Sequence, residues 1–310
     1  MIKDIKGLHH VTSMAADAAE NNRFFTDTLG LRRVKKTVNF DAPEVYHLYY
    51  GDEIGTPGSV MTYFPFGRMP KGRRGTGEVG VTEFAVPEGA LPYWRDRLGA
   101  QGATGLREGS FLGEARLEFD GPDGDSFALV ESADRGRTAW TGNGVSGDAG
   151  ILGFNGARLR LRDAAGTDEL LRFMGYQKDE SDGAVTRYRI EGGNAADTID
   201  LEAMPGGKPA AQGAGSVHHI AFAVEDRAAQ ARVREALLAT GYQVTPVIDR
   251  DYFWAIYFRT PGGVLFEIAT NEPGFDRDED TAHLGEALKL PERYEPYRSR
   301  IEAQLPGIGA

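Results

Sequence analysis

The sequence predicts an α+β fold assembled from four copies of one βαβββ module. Three observations predict it. First, a glycine follows each of four predicted helices, at Leu29-Gly30-Leu31, Gln101-Gly102-Ala103, Met174-Gly175-Tyr176 and Thr240-Gly241-Tyr242. These marks recur roughly every 70 residues, long for a solenoid and right for one helix with about four strands. A glycine past the last helical residue takes the left-handed conformation without a Cβ clash. Second, an apolar stripe of helical period precedes each glycine. Third, tight-turn marks come before the last strand of three modules, at Thr56-Pro57-Gly58, Gly121-Pro122-Asp123-Gly124 and Thr260-Pro261-Gly262-Gly263.

The modules follow in order. Module 1 opens on the strand Leu8-His9-His10-Val11-Thr12, and its helix carries Phe24, Phe25, Leu29 and Leu31 after polar Glu20-Asn21-Asn22. Module 2 opens on Thr82-Glu83-Phe84-Ala85-Val86, with a helical stripe of Leu91, Tyr93, Trp94 and Leu98. Module 3 opens on Arg158-Leu159-Arg160-Leu161, followed by Leu170, Leu171, Phe173 and Met174. Module 4 opens on Val217-His218-His219-Ile220-Ala221-Phe222, followed by Ala229, Val233, Ala236, Leu237 and Leu238. The Gly-, Ser- and Asp-rich stretch 134–150 is the expected domain boundary. It divides an N-terminal pair of modules (1–135) from a C-terminal pair (150–275), with a tail at 276–310. The segment from Phe66 to Gly77, with Arg68, Lys71, Arg73 and Arg74, reads as a solvated linker. In the tail, Asp276-Arg277-Asp278-Glu279-Asp280 is a charged loop and Pro291 opens a helix through Arg300. That tail either packs over a cavity mouth or docks on the surface.

Bulk properties narrow the function. A formal charge of −11 argues against a nucleic-acid partner, which needs a basic surface. No apolar run approaches the roughly 18 residues of a membrane span, and Met1-Ile2-Lys3-Asp4-Ile5 lacks the apolar core of a signal peptide. A cytoplasmic protein is the simplest expectation. With no cysteine, disulfides, thiolate nucleophiles and Cys-based zinc sites are excluded. Any metal is therefore held by nitrogen and oxygen, which favours Fe(II), Mn(II), Zn(II) or Ni(II).

The chain has six histidines, and four of them form two His-His pairs that open modules 1 and 4. About 48 residues after the second pair, Glu267 stands inside the apolar run Val264-Leu265-Phe266-Glu267-Ile268. Such runs usually exclude charge. Side chains alternate along a strand, so one histidine of each pair should face a cavity. His10 precedes Val11-Thr12 and His219 precedes Ile220-Ala221, in matched register. With Glu267 they supply two imidazoles and a carboxylate, a facial triad that leaves positions open on an octahedral ion. His9 and His218 then become hydrogen-bond partners behind the ligands. Taken singly, each residue also reads as a satisfied core group, with Arg259 as a partner for Glu267. Module 2 carries Ala128 where module 4 carries Glu267, and modules 2 and 3 open without histidine, so one of two cavities should hold metal. Near the last strand, Arg250 suits an anionic substrate oxygen, Tyr257 suits a hydrogen-bond donor, and His218 or His9 a proton shuttle. Thr12 shares the facing of His10 and offers a pocket hydroxyl. Tyr252, Phe253 and Trp254 read equally as core, while His47 and His283 read as structural.

These stretches, with Val45-Tyr46-His47-Leu48-Tyr49, Gly55-Thr56-Pro57-Gly58 and the tail from Gly274-Phe275 through Asp280, resemble the vicinal oxygen chelate superfamily along nearly the whole chain. Within it they resemble the hydroquinone-type ring-cleaving dioxygenases. The resemblance implies two cupped mixed-sheet units, with modules 1 and 4 paired around the metal and modules 2 and 3 forming the other cup. It places His10, His219 and Glu267 on iron ligands, and His9, Thr12, His218, Arg250 and Tyr257 on the substrate pocket. It implies Fe(II), in some members Mn(II), with a hydroquinone or catechol and O2 as reactants and a muconate derivative as product. The resemblance also allows a homo-oligomer, since related folds often dimerise, but the sequence does not fix the oligomeric state. The rival readings are a glyoxalase-like isomerase or lyase, which generally adds a second carboxylate from a symmetry-related strand, and a non-catalytic quinone- or drug-binding resistance protein. The matching stretch of module 1, Ser59-Val60-Met61-Thr62-Tyr63, contains no acid.

Overall fold

The computed structural model describes residues 1–133 and 136–309. The first two residues of the expected boundary, Asp134 and Arg135, lie outside the described residues. Module 1 contains β1 (Leu8–Ala15), α1 (Ala18–Arg23) running into a π-turn at Phe24–Thr28, β2 (Arg32–Asn39), β3 (Ala42–Gly51) and β4 (Val60–Pro65). Module 2 contains β5 (Glu78–Pro87), α2 (Leu91–Ala100), β6 (Thr104–Phe111), β7 (Glu114–Asp120) and β8 (Ser126–Ser132). Module 3 contains β9 (Gly153–Leu161), α3 (Ala165–Phe173), β10 (Gln177–Asp182), β11 (Val185–Arg189) and β12 (Thr198–Ala203). Module 4 contains β13 (Val217–Val224), α4 (Arg227–Ala239), β14 (Ile248–Asp249), β15 (Phe253–Arg259) and β16 (Leu265–Pro273). The predicted four-module α+β architecture is therefore present, each module one helix and four strands.

The strands form two curled, mixed, eight-stranded sheets. One has the order β14-β15-β16-β13-β1-β4-β3-β2, joining modules 4 and 1. The other has the order β10-β11-β12-β9-β5-β8-β7-β6, joining modules 3 and 2. The expected pairing of modules 1 with 4 and 2 with 3 is thus observed, and each sheet draws strands from both sides of the 134–150 stretch. At each junction the two opening strands run antiparallel: β1 against β13 and β5 against β9.

Helix stripes and one face of each sheet form a shared core. Phe25, Trp94, Leu98, Leu171, Met174, Val233 and Leu237 are fully buried in it, each large side chain contributing about 1.5–3 kcal/mol by leaving water. Trp94 also donates its indole N–H to the Ala149 carbonyl at 2.7 Å, so its polar tip is satisfied. Gly30, Gly102, Gly175 and Gly241 all have positive φ, as expected of residues that end a helix.

Two connections differ from the sequence reading. The 66–77 segment is more than a solvated linker. It bridges to the connection between modules 3 and 4, at Lys71↔Ala214, Arg73↔Ala211 and Thr76↔Pro209. Arg74 donates to the Gly80 carbonyl and to Ser126 Oγ. The two crossovers between sheets thereby hold each other. The tail packs against β2 and β3 of module 1, and none of its residues lines the cavity of the module 1–4 cup. Phe275, Leu284, Leu290 and Ile301 cluster with Val34, Val38 and Tyr49. Lys35, fully buried, is neutralised there by Asp278 at 2.6 Å and Glu279 at 2.5 Å. No helix of the described residues is long and apolar enough to cross a membrane.

Candidate metal centre and its cavity

His10 from β1, His219 from β13 and Glu267 from β16 converge inside the module 1–4 cup, all buried. His10 Nε2 lies 3.4 Å from His219 Nε2, and Glu267 Oε2 lies 3.4 Å from the first and 2.9 Å from the second. Ligand atoms adjacent on an octahedron with bonds of about 2.1 Å stand about 3 Å apart, so the triangle fits one divalent ion. Neither Glu267 oxygen accepts a hydrogen bond of ordinary geometry.

The neighbouring histidines fix where the protons sit. His9 Nε2 is 3.1 Å from the Thr270 carbonyl, which can only accept, so His9 carries its proton there. Burial first, and then the neighbouring His10, pushes the His9 pKa down to about 3, leaving the ring neutral. Its Nδ1 is therefore an acceptor, and His10 Nδ1, 3.0 Å away, must donate to it. His10 Nε2 is left as a bare lone pair aimed at Glu267. His218 and His219 repeat the ring-to-ring contact, with their Nδ1 atoms 2.7 Å apart, and burial pushes His218 down to about 4. The partner of a ligand histidine commonly sets its tautomer in this way.

Burial raises the Glu267 carboxyl, but the His10 and His219 imidazoles beside it outweigh burial and hold its pKa well below the usual range. Burial pushes His219 down. The donor set, two nitrogens and one carboxylate, suits Fe(II) or Mn(II).

The sequence reading held that adjacent histidines cannot share a facing. β-Bulges remove that constraint. The register steps from Leu8↔Phe222 to His10↔Ala221, leaving His9 extra on β1, and from Thr12↔His219 to Ser13↔Val217, leaving His218 extra on β13. Bulges of this kind re-aim side chains beside active sites. His9 and His10 consequently both pack on Phe253, with centroids at 5.3 and 4.9 Å.

A cavity of about 380 Å³ opens from the triad. Of the predicted pocket residues, His218, Arg250 and Tyr257 line it. His9 and Thr12 do not; they stand one layer behind the wall. His9 reaches the site through His10, and Thr12 through Thr62, whose hydroxyl donates to it at 2.9 Å. Arg250 donates to the Tyr257 hydroxyl at 3.2 Å and pairs with Asp41 at 3.1 Å on the rim. The structure also brings in groups the sequence reading missed or set aside. His47, read as structural, lines the cavity with Tyr49, Phe64 and Phe253. The signal for it was the period-2 spacing of His47 and Tyr49 on one strand face. His283 is exposed beside Glu286 and far from this wall.

The fold agrees with known proteins. Residues 87–268 match the model of the Glyoxalase/Bleomycin resistance protein/Dioxygenase superfamily, and the chain belongs to that superfamily. Its full-length relatives include "Putative ring-cleaving dioxygenase MhqO" of Bacillus subtilis (strain 168), 43% identical over 98% of this chain and 97% of that one. Another is the chlorohydroquinone/hydroquinone 1,2-dioxygenase of Sphingobium indicum, 34% identical over 96% and 95%. The crystal structure of a "putative dioxygenase" from Bacillus subtilis is 42% identical, with a TM-score of 0.95 over 99% of this chain and 98% of that one. Glyoxalase I from Zea mays, 16% identical with a TM-score of 0.63 over 86% and 92%, shares the fold. Within the superfamily the chain stands with the ring-cleaving dioxygenases.

Proposed function

We propose that this protein is a non-haem Fe(II)-dependent dioxygenase that opens the ring of a hydroquinone or catechol with O2. One observation carries the reading. Three bare ligand atoms, preset by their neighbours, face one another at the floor of a cavity walled by aromatic rings. Fe(II), or Mn(II) in its place, would supply a meeting point at which a phenol oxygen and dioxygen exchange electrons. His10, His219 and Glu267 would hold it.

The remaining residues bind, orient and move protons. Phe64, Phe253 and the His47 ring offer flat apolar faces to an aromatic substrate. Arg250 places a permanent positive charge where an ionised phenol oxygen would lie. Tyr257 accepts from Arg250 and keeps its own proton to donate. His218, neutral at pH 7, can take a proton from the incoming phenol and return it later. Both atoms of O2 would end in an acyclic muconate-type product. Soluble expression without a membrane or nucleic-acid partner, and a cytoplasmic location, belong to the same proposal.

Position 62 favours this reading over an isomerase. The register places Thr12 beside Thr62 and Ala221 beside Glu267, so Thr62 is the symmetry mate of Glu267. The fourth, carboxylate ligand of a glyoxalase-like site is a hydroxyl here. The test is an oxygen electrode with anaerobically iron-loaded protein and a panel of hydroquinones and catechols. Oxygen uptake with a new absorbing acyclic product is expected. Binding without uptake would point to a resistance protein that only sequesters its ligand. His219→Ala should lower both bound iron and turnover by more than about a hundredfold; full iron and turnover in that variant would refute the ligand assignment.

A further inference from the structure

The module 1–4 cup has an approximate twofold relation, and it pairs two phenols. Tyr49 lies opposite Thr62 in the β3–β4 register, and Tyr257 lies opposite Glu267 in the β15–β16 register. Since Thr62 and Glu267 are symmetry mates, so are Tyr49 and Tyr257. Both line the cavity. Their hydrogen-bond partners, however, differ.

Tyr257 oxygen accepts from Arg250 Nε at 3.2 Å, and its own proton has the Glu267 carboxylate as a partner. On the Tyr49 side the chain can be read from its far end. Thr62 donates its single hydroxyl proton to Thr12 at 2.9 Å. His47 Nε2, 2.8 Å from Thr62 Oγ1, must therefore carry the proton of that contact. His47 is buried and neutral, so its Nδ1 is an acceptor, and Tyr49, 2.7 Å away, donates to it. The Tyr49 proton is thus committed to His47. The phenolic oxygen has only acceptor capacity left for anything in the cavity.

We propose that Tyr49 is a specificity-determining residue that accepts a hydrogen bond from a protonated hydroxyl of the aromatic substrate. A ring with one hydroxyl leaves Tyr49 without its donor. A site built to hydrogen-bond a hydroxyl discriminates against the analogue lacking it, because its own polar group is then left unpaired. This inference rests on the dioxygenase reading for the nature of the ligand, but its evidence is the direction of the hydrogen-bond chain.

The test is anaerobic isothermal titration calorimetry on Fe(II)-loaded protein. The ligands are hydroquinone against 4-fluorophenol, and catechol against 2-fluorophenol. Fluorine is nearly the size of hydroxyl and cannot donate. Wild type should prefer the dihydroxy ligand about tenfold in at least one pair. Tyr49→Phe should erase that preference, chiefly by weakening the dihydroxy ligand. Thr62→Val, which keeps the shape and releases the His47 tautomer, should reduce it and serves if Tyr49→Phe fails to fold. Circular dichroism and iron content should stay at wild-type values in the variant that is used. Retention of the full preference in the variants, or no preference in wild type, would overturn the role of Tyr49 alone. Failure of wild type to bind any of the four phenols would overturn the dioxygenase reading, and this inference with it.

Discussion

The two cups share one architecture and treat buried charge in opposite ways. Register equivalence aligns them position by position. Where the module 1–4 cup has His10, His219, Thr62 and Glu267, the module 2–3 cup has Val81, Gly156, Ala128 and Asp200. The second cup is filled. Asp200 takes both ends of the Arg187 guanidinium, at 2.8 and 3.0 Å. Glu83 takes Arg116 at 2.9 Å, Arg187 also reaches Glu114 at 2.6 Å, and Arg158 lies near both Glu83 and Asp200. Phe111 covers this group, with the Arg158 guanidinium 4.3 Å from its ring centre. Three arginines face three carboxylates, so the charges balance within the protein. In the first cup Glu267 has no guanidinium partner; it faces the His10 and His219 imidazoles and the Tyr257 hydroxyl. A buried carboxylate with guanidinium partners is structure, whereas one with bare nitrogen partners awaits a cation.

The sharpest way to break this contrast is to neutralise each carboxylate in metal-free protein. Asp200→Asn should destabilise the fold by about 3–5 kcal/mol, because it strands the charge of Arg187. Glu267→Gln should cost less, no more than about 1–2 kcal/mol, because it leaves imidazoles rather than a guanidinium without their partner. Urea unfolding measures both, and losses of similar size would erase the distinction between the cups.

A smaller effect follows pH. His9, His47 and His218 of the metal cup all have folded pKa values below 6.5, through burial. The unfolded chain therefore binds more protons than the folded one below that value. Stability of the metal-free protein should fall as pH drops from about 6.5 toward 4, each histidine adding a slope of up to ~1.4 kcal/mol per unit. Carboxyls raised by burial, Asp125 to about 6 together with Glu78, Asp197, Asp200 and Asp251, oppose the histidines at the acid end of this window. Urea midpoints that rise on acidification would contradict this sign. The smallest effect belongs to the rim. Asp41 is 76% exposed in its pair with Arg250, and such pairs are worth about 0–1 kcal/mol. Asp41→Asn should change KM by less than about threefold and leave the urea midpoint in place.

Much of this was legible in the sequence because it rests on period and position. The glycine marks and apolar stripes gave four modules, and the matched registers of His10 and His219 singled out the two imidazoles that meet Glu267. Glu267 stood out as a charge where apolar packing was due. The bulges at His9 and His218 left no such mark, since an extra residue is visible only against a partner strand. Thr12 has the facing of His10, yet Thr62 and then His47 stand between it and the cavity, a layering set by sheet curvature. The second cup was hidden for another reason. Glu83, Arg116, Arg158, Arg187 and Asp200 are scattered singly over five strands, and each alone looks like a solvated face. Only the sheet order of modules 2 and 3 brings them together.

The central claim is that one cation binds between modules 1 and 4 and none between modules 2 and 3. Crystals of iron-loaded protein, measured at the iron absorption edge, test it directly. A single anomalous peak about 2.0–2.4 Å from His10 Nε2, His219 Nε2 and a Glu267 oxygen is predicted. A peak elsewhere, or none at those three atoms in protein that carries iron, would contradict the account.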